Sequence, residues 1–196
     1  MNPELRPLPP GHVGAVVTFL EMNERPAPAA IPASTLQLER WHRVDPDRYR
    51  SLFRRVGAKW LWFSRLAMDD ATLMATVADV HAVVDSAGEE VGLVELDFRE
   101  LGQCLIRFLG LVPELSGQGH GRWLFAQTLS LAWRDGVEIV RVHTCSLDHP
   151  AALPAYLRAG FKARSRAFES FPDPRLTGVL PRDAAPQLPL VEAPTR

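Results

Sequence analysis

The chain of 196 residues carries 22 Lys and Arg against 23 Asp and Glu, a formal net charge of -1, with 46% apolar residues and 2 cysteines. A chain of this size buries roughly 70% of the surface its unfolded form exposes, enough for one domain without a metal or disulfide staple. Interspersed acids and bases leave no cationic field for DNA or RNA. No apolar run approaches the ~20 residues of a membrane-spanning helix, and Cys104 and Cys145 read as reduced thiols of a cytoplasmic protein.

Arg6, the apolar run Val13 to Leu20 and Ala27-Pro28-Ala29 loosely imitate a signal peptide. Glu4, Pro7, Pro9 and Pro10 before the run, and Glu21, Glu24 and Arg25 after it, argue against secretion. The β-branched content of Val13 to Met22 predicts a strand instead, followed by a Pro/Ala-rich link over Arg25 to Pro32 and a short strand around Thr35 to Arg40. Asp45-Pro46 supplies an N-cap with proline at the first helical position, and Tyr49, Leu52, Phe53 and Val56 follow at helical spacing. A second helix starts near Asp70, with Leu73, Met74, Val77 and Val80 on one face. Three strands come next, about His81 to Asp85, Val91 to Arg99 and Cys104 to Val112, with turns at Ala87-Gly88 and near Gly102.

The most informative stretch is Gly110 to Gly121, GLVPELSGQGHG, an apolar strand running into alternating glycines and then a helix. Glycines let the backbone approach a ligand closely, and a helix N-terminus offers free N–H groups and the positive end of its dipole, so the loop expects an anion. A nucleotide P-loop would need Lys and Ser or Thr after the last glycine, where Arg122 and Trp123 stand. A dinucleotide fingerprint would space its glycines differently and follow a first strand. A β-rich run, Val137 to Cys145, then precedes a short helix with Ala152, Tyr156, Gly160 and Phe161, a strand over Lys162 to Phe171 and a proline-rich tail from Pro172.

The loop and this Ala-Tyr-Gly-Phe helix, in this order, resemble the two signature segments of the GNAT family, the GCN5-related N-acetyltransferases; the matched stretch is roughly Val91 to Phe171. The resemblance implies an α/β fold of GNAT type, a mixed, mostly antiparallel central sheet with helices on both faces. It divides the chain into an N-terminal extension with an extra strand (1–34), an acetyltransferase domain (35–171) and a tail (172–196). Only one strand follows Phe161 where the family often has two, and the N-terminal strand is expected to occupy the sheet edge thus left open.

The resemblance implies transfer of an acetyl group from acetyl-CoA to a primary amine, on a small molecule or on a peptide or protein, with no metal. A GNAT-fold module that binds acyl-CoA without catalysis is the alternative, and a homodimer stays open. Leu111 and Val112 are expected beside the pantetheine arm, with Gly110 as the bulge that splays the strand. Gly117, Gln118, Gly119, His120, Gly121 and Arg122 are expected at the pyrophosphate. The family usually has Gln or Arg where this chain has Ser116, and often an aliphatic residue at His120.

Tyr156 is the expected general acid, since a phenol with pKa near 10 can protonate a leaving thiolate while staying un-ionised at neutral pH. Pro154, two residues earlier, is unusual inside a helix. An acceptor amine with pKa about 10.4 costs roughly 4 to 5 kcal/mol to deprotonate at pH 7, so a base is expected. Several GNAT enzymes place a carboxylate where this chain has Leu105. The neighbouring strand offers Glu95, across from Arg107 if the hairpin folds about Gly102, and Asp97, across from Leu105. Glu95 is the expected base, His143 the other candidate. The aromatic run Trp60-Leu61-Trp62-Phe63 is either core or the lining of an acceptor pocket.

Overall fold

The computed structural model describes residues 5–27 and 29–192. Residues 1–4 of the expected extension, Pro28 of its link and residues 193–196 of the expected tail lie outside the described residues. The elements run β1 (His12–Met22), β2 (Gln37–Arg40), α1 (Pro46–Gly57), α2 (Asp70–Thr76), β3 (Asp79–Val84), β4 (Glu90–Asp97), β5 (Gln103–Leu111), α3 (His120–Ala132), β6 (Ile139–Cys145), α4 (Ala152–Arg158) and β7 (Lys162–Pro172). They build one sheet in the order β2-β3-β4-β5-β6-β1-β7. Every neighbouring pair is antiparallel except β5 and β6, which the α3 crossover joins in parallel.

Helix α1 starts where the sequence asks it to. The Asp45 carboxylate accepts from the Arg48 N–H at 2.8 Å, a cap worth about 1 kcal/mol. Its Tyr49, Leu52, Phe53 and Val56 stripe is buried against β4 and β5. Helix α2 is shorter than its apolar pattern suggests. The backbone turns extended at Val77, so Val80 falls in β3 and Met74 stays exposed, leaving Leu73 as the buried residue of that helix. A β-branched pair flanking Ala78 and Asp79 favours the strand over another helical turn.

The N-terminal strand departs from expectation. β1 is not at an edge but between β6 and β7, antiparallel to both, with Val17 opposite Cys145 on one side and Ala167 on the other. The reason is compositional. Residues 13–20, VGAVVTFL, are uncharged and suit an interior strand, whereas β7 carries Lys162, Arg164, Arg166 and Glu169 and takes the solvated edge, where charge blunts pairing with other chains.

The proline-rich segment after β7 is pinned to the rest of the fold. Asp173 and Arg175 form a buried ion pair at 2.7 Å, and the Arg175 guanidinium also donates to the carbonyl of Leu188 at 2.9 Å. Leu180 and Ala185 are thereby held against Ala15, Leu61 and Leu147, a small core distinct from the main one.

Strands β5 and β6 pair only from Gln103↔Ile139 to Ile106↔Val142 and then part. The irregularity that bends β5 is not at Gly110, which stays in register with Leu93. It is at Arg107, left unpaired because Glu95 faces Phe108 while Leu96 faces Ile106. Gly110 has a packing reason instead: a Cβ there would lie 2.8 Å from Val56 Cγ1.

Candidate active site

A cleft of about 1030 Å³ opens where β5 and β6 part. The Val112 N–H donates to the Val91 carbonyl at 2.9 Å, so by the alternation of the ladder Leu109 and Leu111 turn their backbone N–H and C=O groups into the gap. Leu111 therefore turns toward the gap. Val112 does not: its N–H is engaged by Val91, its carbonyl accepts from Leu115 N–H at 3.1 Å, and its side chain is buried off the cleft.

At one end of the cleft the loop before α3 presents Ser116, Gly117, Gly119, Gly121 and Arg122. Gly117 and Gly119 sit at φ +80 and +86, the left-handed region, and Gly119 caps α3 without any side-chain bond. Gly121 differs. It lies within the helix, and nothing stands within 4 Å of a Cβ built on it, so the protein's own packing does not require glycine there. The Arg122 side chain faces the cleft and has no carboxylate partner among the described residues. Gln118 and His120 are turned elsewhere. Gln118 Nε2 donates to the Glu114 carbonyl, and His120 Nδ1 is 2.9 Å from Ser34 Oγ, which ties the loop to the segment before β2. The Gln118 backbone N–H is itself engaged by the Leu115 carbonyl at 3.4 Å, whereas the His120 N–H has no backbone acceptor among the described residues.

At the middle of the cleft stands Tyr156, held by edge-on contacts to Phe125 and Phe161. Its hydroxyl has no hydrogen-bond partner among the described residues. Burial, aided by the nearby Asp148 carboxylate, pushes the phenol further above its ordinary pKa, so it stays protonated across the working pH range. Pro154 is accommodated in the first turn of α4, where its missing N–H leaves no bond unmade.

No protein-family model and no curated protein matches the chain. Solved structures do. A GCN5-related N-acetyltransferase from Sphaerobacter thermophilus superposes with TM-score 0.55 at 16% identity, over 83% of this chain and 52% of that one. A GNAT-family protein from Novosphingobium aromaticivorans gives 0.57 at 16%, over 86% and 69%. The tandem GNAT protein from the clavulanic acid biosynthesis pathway gives 0.54 at 20%, over 81% and 53%. This is the GNAT fold. The chain spans about half the length of the first and third of these structures, 52% and 53%.

Within this GNAT fold the expected base is displaced. Glu95 is fully buried and absent from the cleft wall. Its two oxygens accept from Tyr49 Oη at 2.5 Å and Arg65 Nη2 at 2.6 Å. The bulge at Arg107 takes Glu95 out of register with Arg107, and α1 covers the face of β4 from which Glu95 projects. Asp97 does lie opposite Leu105, as the hairpin predicted, but Arg99 and Arg107 both bind it and hold its carboxyl well below the usual range. A group so firmly ionised is a poor base.

His143, on β6, does line the cleft of the GNAT fold. Desolvation lowers its pKa, against the opposing pull of Asp148, so the ring is neutral at pH 7 and free to accept a proton. Cys145, two residues on, has its thiol pushed up to about 11 by burial, which disfavours a thiolate nucleophile.

Asp148 is the residue sequence reasoning missed. It accepts from Thr144 Oγ1 at 2.7 Å, the Cys145 N–H at 2.8 Å and Trp62 Nε1 at 3.1 Å, which fixes it in the cleft just past the carboxyl end of β6. That position is itself a signal, because open α/β sheets gather ligands outside the carboxyl ends of their strands. The Trp62 bond also ties the aromatic run to the cleft. Trp60, Trp62 and Phe63 are half-buried and wall the cleft, Trp60 edge-on to His149 and the other two tilted against Phe108 and Phe171. Among the described residues no helix is long and apolar enough to cross a membrane.

Proposed function

We propose that the chain moves an acetyl group from acetyl-CoA to a primary amine by direct attack in a ternary complex. One observation carries this reading: a single cleft joins the open N–H groups of the α3 N-terminus to the unpartnered Tyr156 hydroxyl through the parting of β5 from β6. Pyrophosphate would lie on the N–H groups of the loop with Arg122 adding charge, and pantetheine amides would pair with the free edge at Leu109 and Leu111. Tyr156 gives its proton to the departing thiolate. His143 takes the proton of the attacking nitrogen, which becomes acidic as the C–N bond forms.

Calorimetric titration with acetyl-CoA, followed by assay of CoA release with a panel of amines, tests the reading. Binding with release supports it. Binding without release from any amine would leave a non-catalytic acyl-CoA-binding module.

Gly121→Leu should weaken acetyl-CoA binding by about tenfold or more while leaving the melting temperature equal or higher, because the helix gains propensity and nothing stands within 4 Å of the added Cβ. Unchanged affinity would move the cofactor off the loop. His143→Gln should lower turnover by about a hundredfold. In the wild type the rate should fall as acid protonates His143, below pH 6.5 given its lowered pKa, and be flat above pH 7 for this group. That acid limb should vanish in the variant; a retained limb would assign the proton to another group.

A further inference from the structure

The charges that line the cleft are segregated by sign. At the loop it carries Arg122, and from α4 Arg158 also faces it, neither paired with a carboxylate among the described residues. At the far end the signs reverse. The three donors to Asp148 are all neutral, and among the described residues no Lys or Arg forms an ion pair with it. Glu169, from the edge strand β7, also lines this end and has no ion-pair or hydrogen-bond partner among the described residues. Arg107, the remaining arginine of the wall, is engaged by Asp97, to which its Nε and Nη2 both donate, at 3.1 and 2.8 Å.

The same end is lined with rings. Phe63 faces Phe171 with centroids 4.8 Å apart, Trp62 faces Phe108 at 5.1 Å, and Trp60 faces His149 at 5.1 Å. The wall is backed rather than free. Gln187 Nε2 donates to the Lys59 carbonyl at 2.6 Å, and Leu180 and Ala185 pack beneath Leu61 and Leu147. Rings with uncompensated carboxylates suit a cation on an apolar body, and they repel an anion brought in beside it.

We infer that the acceptor is a small primary amine on an aromatic or similarly flat apolar body, with no acid group beside the nitrogen; the inference rests on the transfer reading above. The ammonium is drawn in by Glu169 and Asp148, the ring lies among Trp60, Phe63 and Phe171, and His143 stands at the same end to take the proton. An amino acid of the same ring would bring its carboxylate against Asp148 and Glu169.

The test is calorimetric titration of 2-phenylethylamine, and separately of phenylalanine, into the full chain saturated with CoA. The amine should bind at least about tenfold more tightly than the amino acid. Glu169→Gln, exposed and without partners to disturb, should weaken the amine by about three- to tenfold and leave CoA affinity unchanged. Equal or tighter binding of phenylalanine, no amine binding at all, or an amine affinity indifferent to Glu169→Gln would overturn the inference. Amine binding by a chain that takes up no CoA would preserve it and overturn the transfer reading. CoA uptake with a peptide amine preferred would do the reverse.

Discussion

Replacing Glu95 by Gln is expected to lower the melting temperature by roughly 6 to 20 °C, with no shift in the pH profile of the activity that remains. Glu95 and Arg65 are both buried, and the ion pair between them lies under α1 with the Tyr49 hydroxyl on the second carboxylate oxygen. Removing one partner of such a pair leaves the other charge in a poorly hydrated place, which costs about 3 to 5 kcal/mol. Arg65 is ill placed to compensate, because its Nε already has no hydrogen-bond partner. The double variant Glu95→Gln/Arg65→Met should recover much of the loss, since both charges go together. Thermal unfolding of the three variants reads the stability, and initial rates against pH read the chemistry. A melting temperature within a degree or two of wild type together with a displaced pH optimum would return the base role to Glu95.

Tyr156→Phe should reduce turnover at least tenfold with little change in acetyl-CoA affinity. The ring keeps its packing on Phe125 and Phe161, and the hydroxyl has no protein partner to lose, so the fold should be as stable as wild type. Only the proton for the thiolate is removed. Burial and Asp148 hold the phenol protonated, so wild-type turnover should show no limb from Tyr156 ionisation up to pH 10. Single-turnover rates with a saturating amine measure the step directly, and unchanged turnover would remove Tyr156 from the chemistry.

These two residues mark how far the chain could be read without its fold. Tyr156 was legible because its signals are local: a β-rich run, a short helix and Gly160-Phe161 follow each other within about two turns of helix and a strand. The glycine loop was legible for the same reason, and so was α1, whose cap and buried stripe lie within a dozen positions. Glu95 was misplaced because its partners are remote, Tyr49 at 46 positions and Arg65 at 30. A ladder register read by counting from Gly102 fails as soon as one residue is inserted. Arg107 is that residue, and it moved Glu95 from facing Arg107 to facing Phe108.

By itself the sequence determined the order of strands and helices, the anion-ready loop and the placing of a phenol on the helix after β6, since each depends on residues a few positions apart. The tertiary structure alone decided that β1 lies inside the sheet and β7 at its edge, that Glu95 is a buried structural charge, and that Asp148, His143 and the aromatic run meet in one cleft. Those outcomes depend on which strands pair and in what register. Pairing is settled by the burial of whole strand faces, a sum over contacts from distant parts of the chain that no local pattern contains.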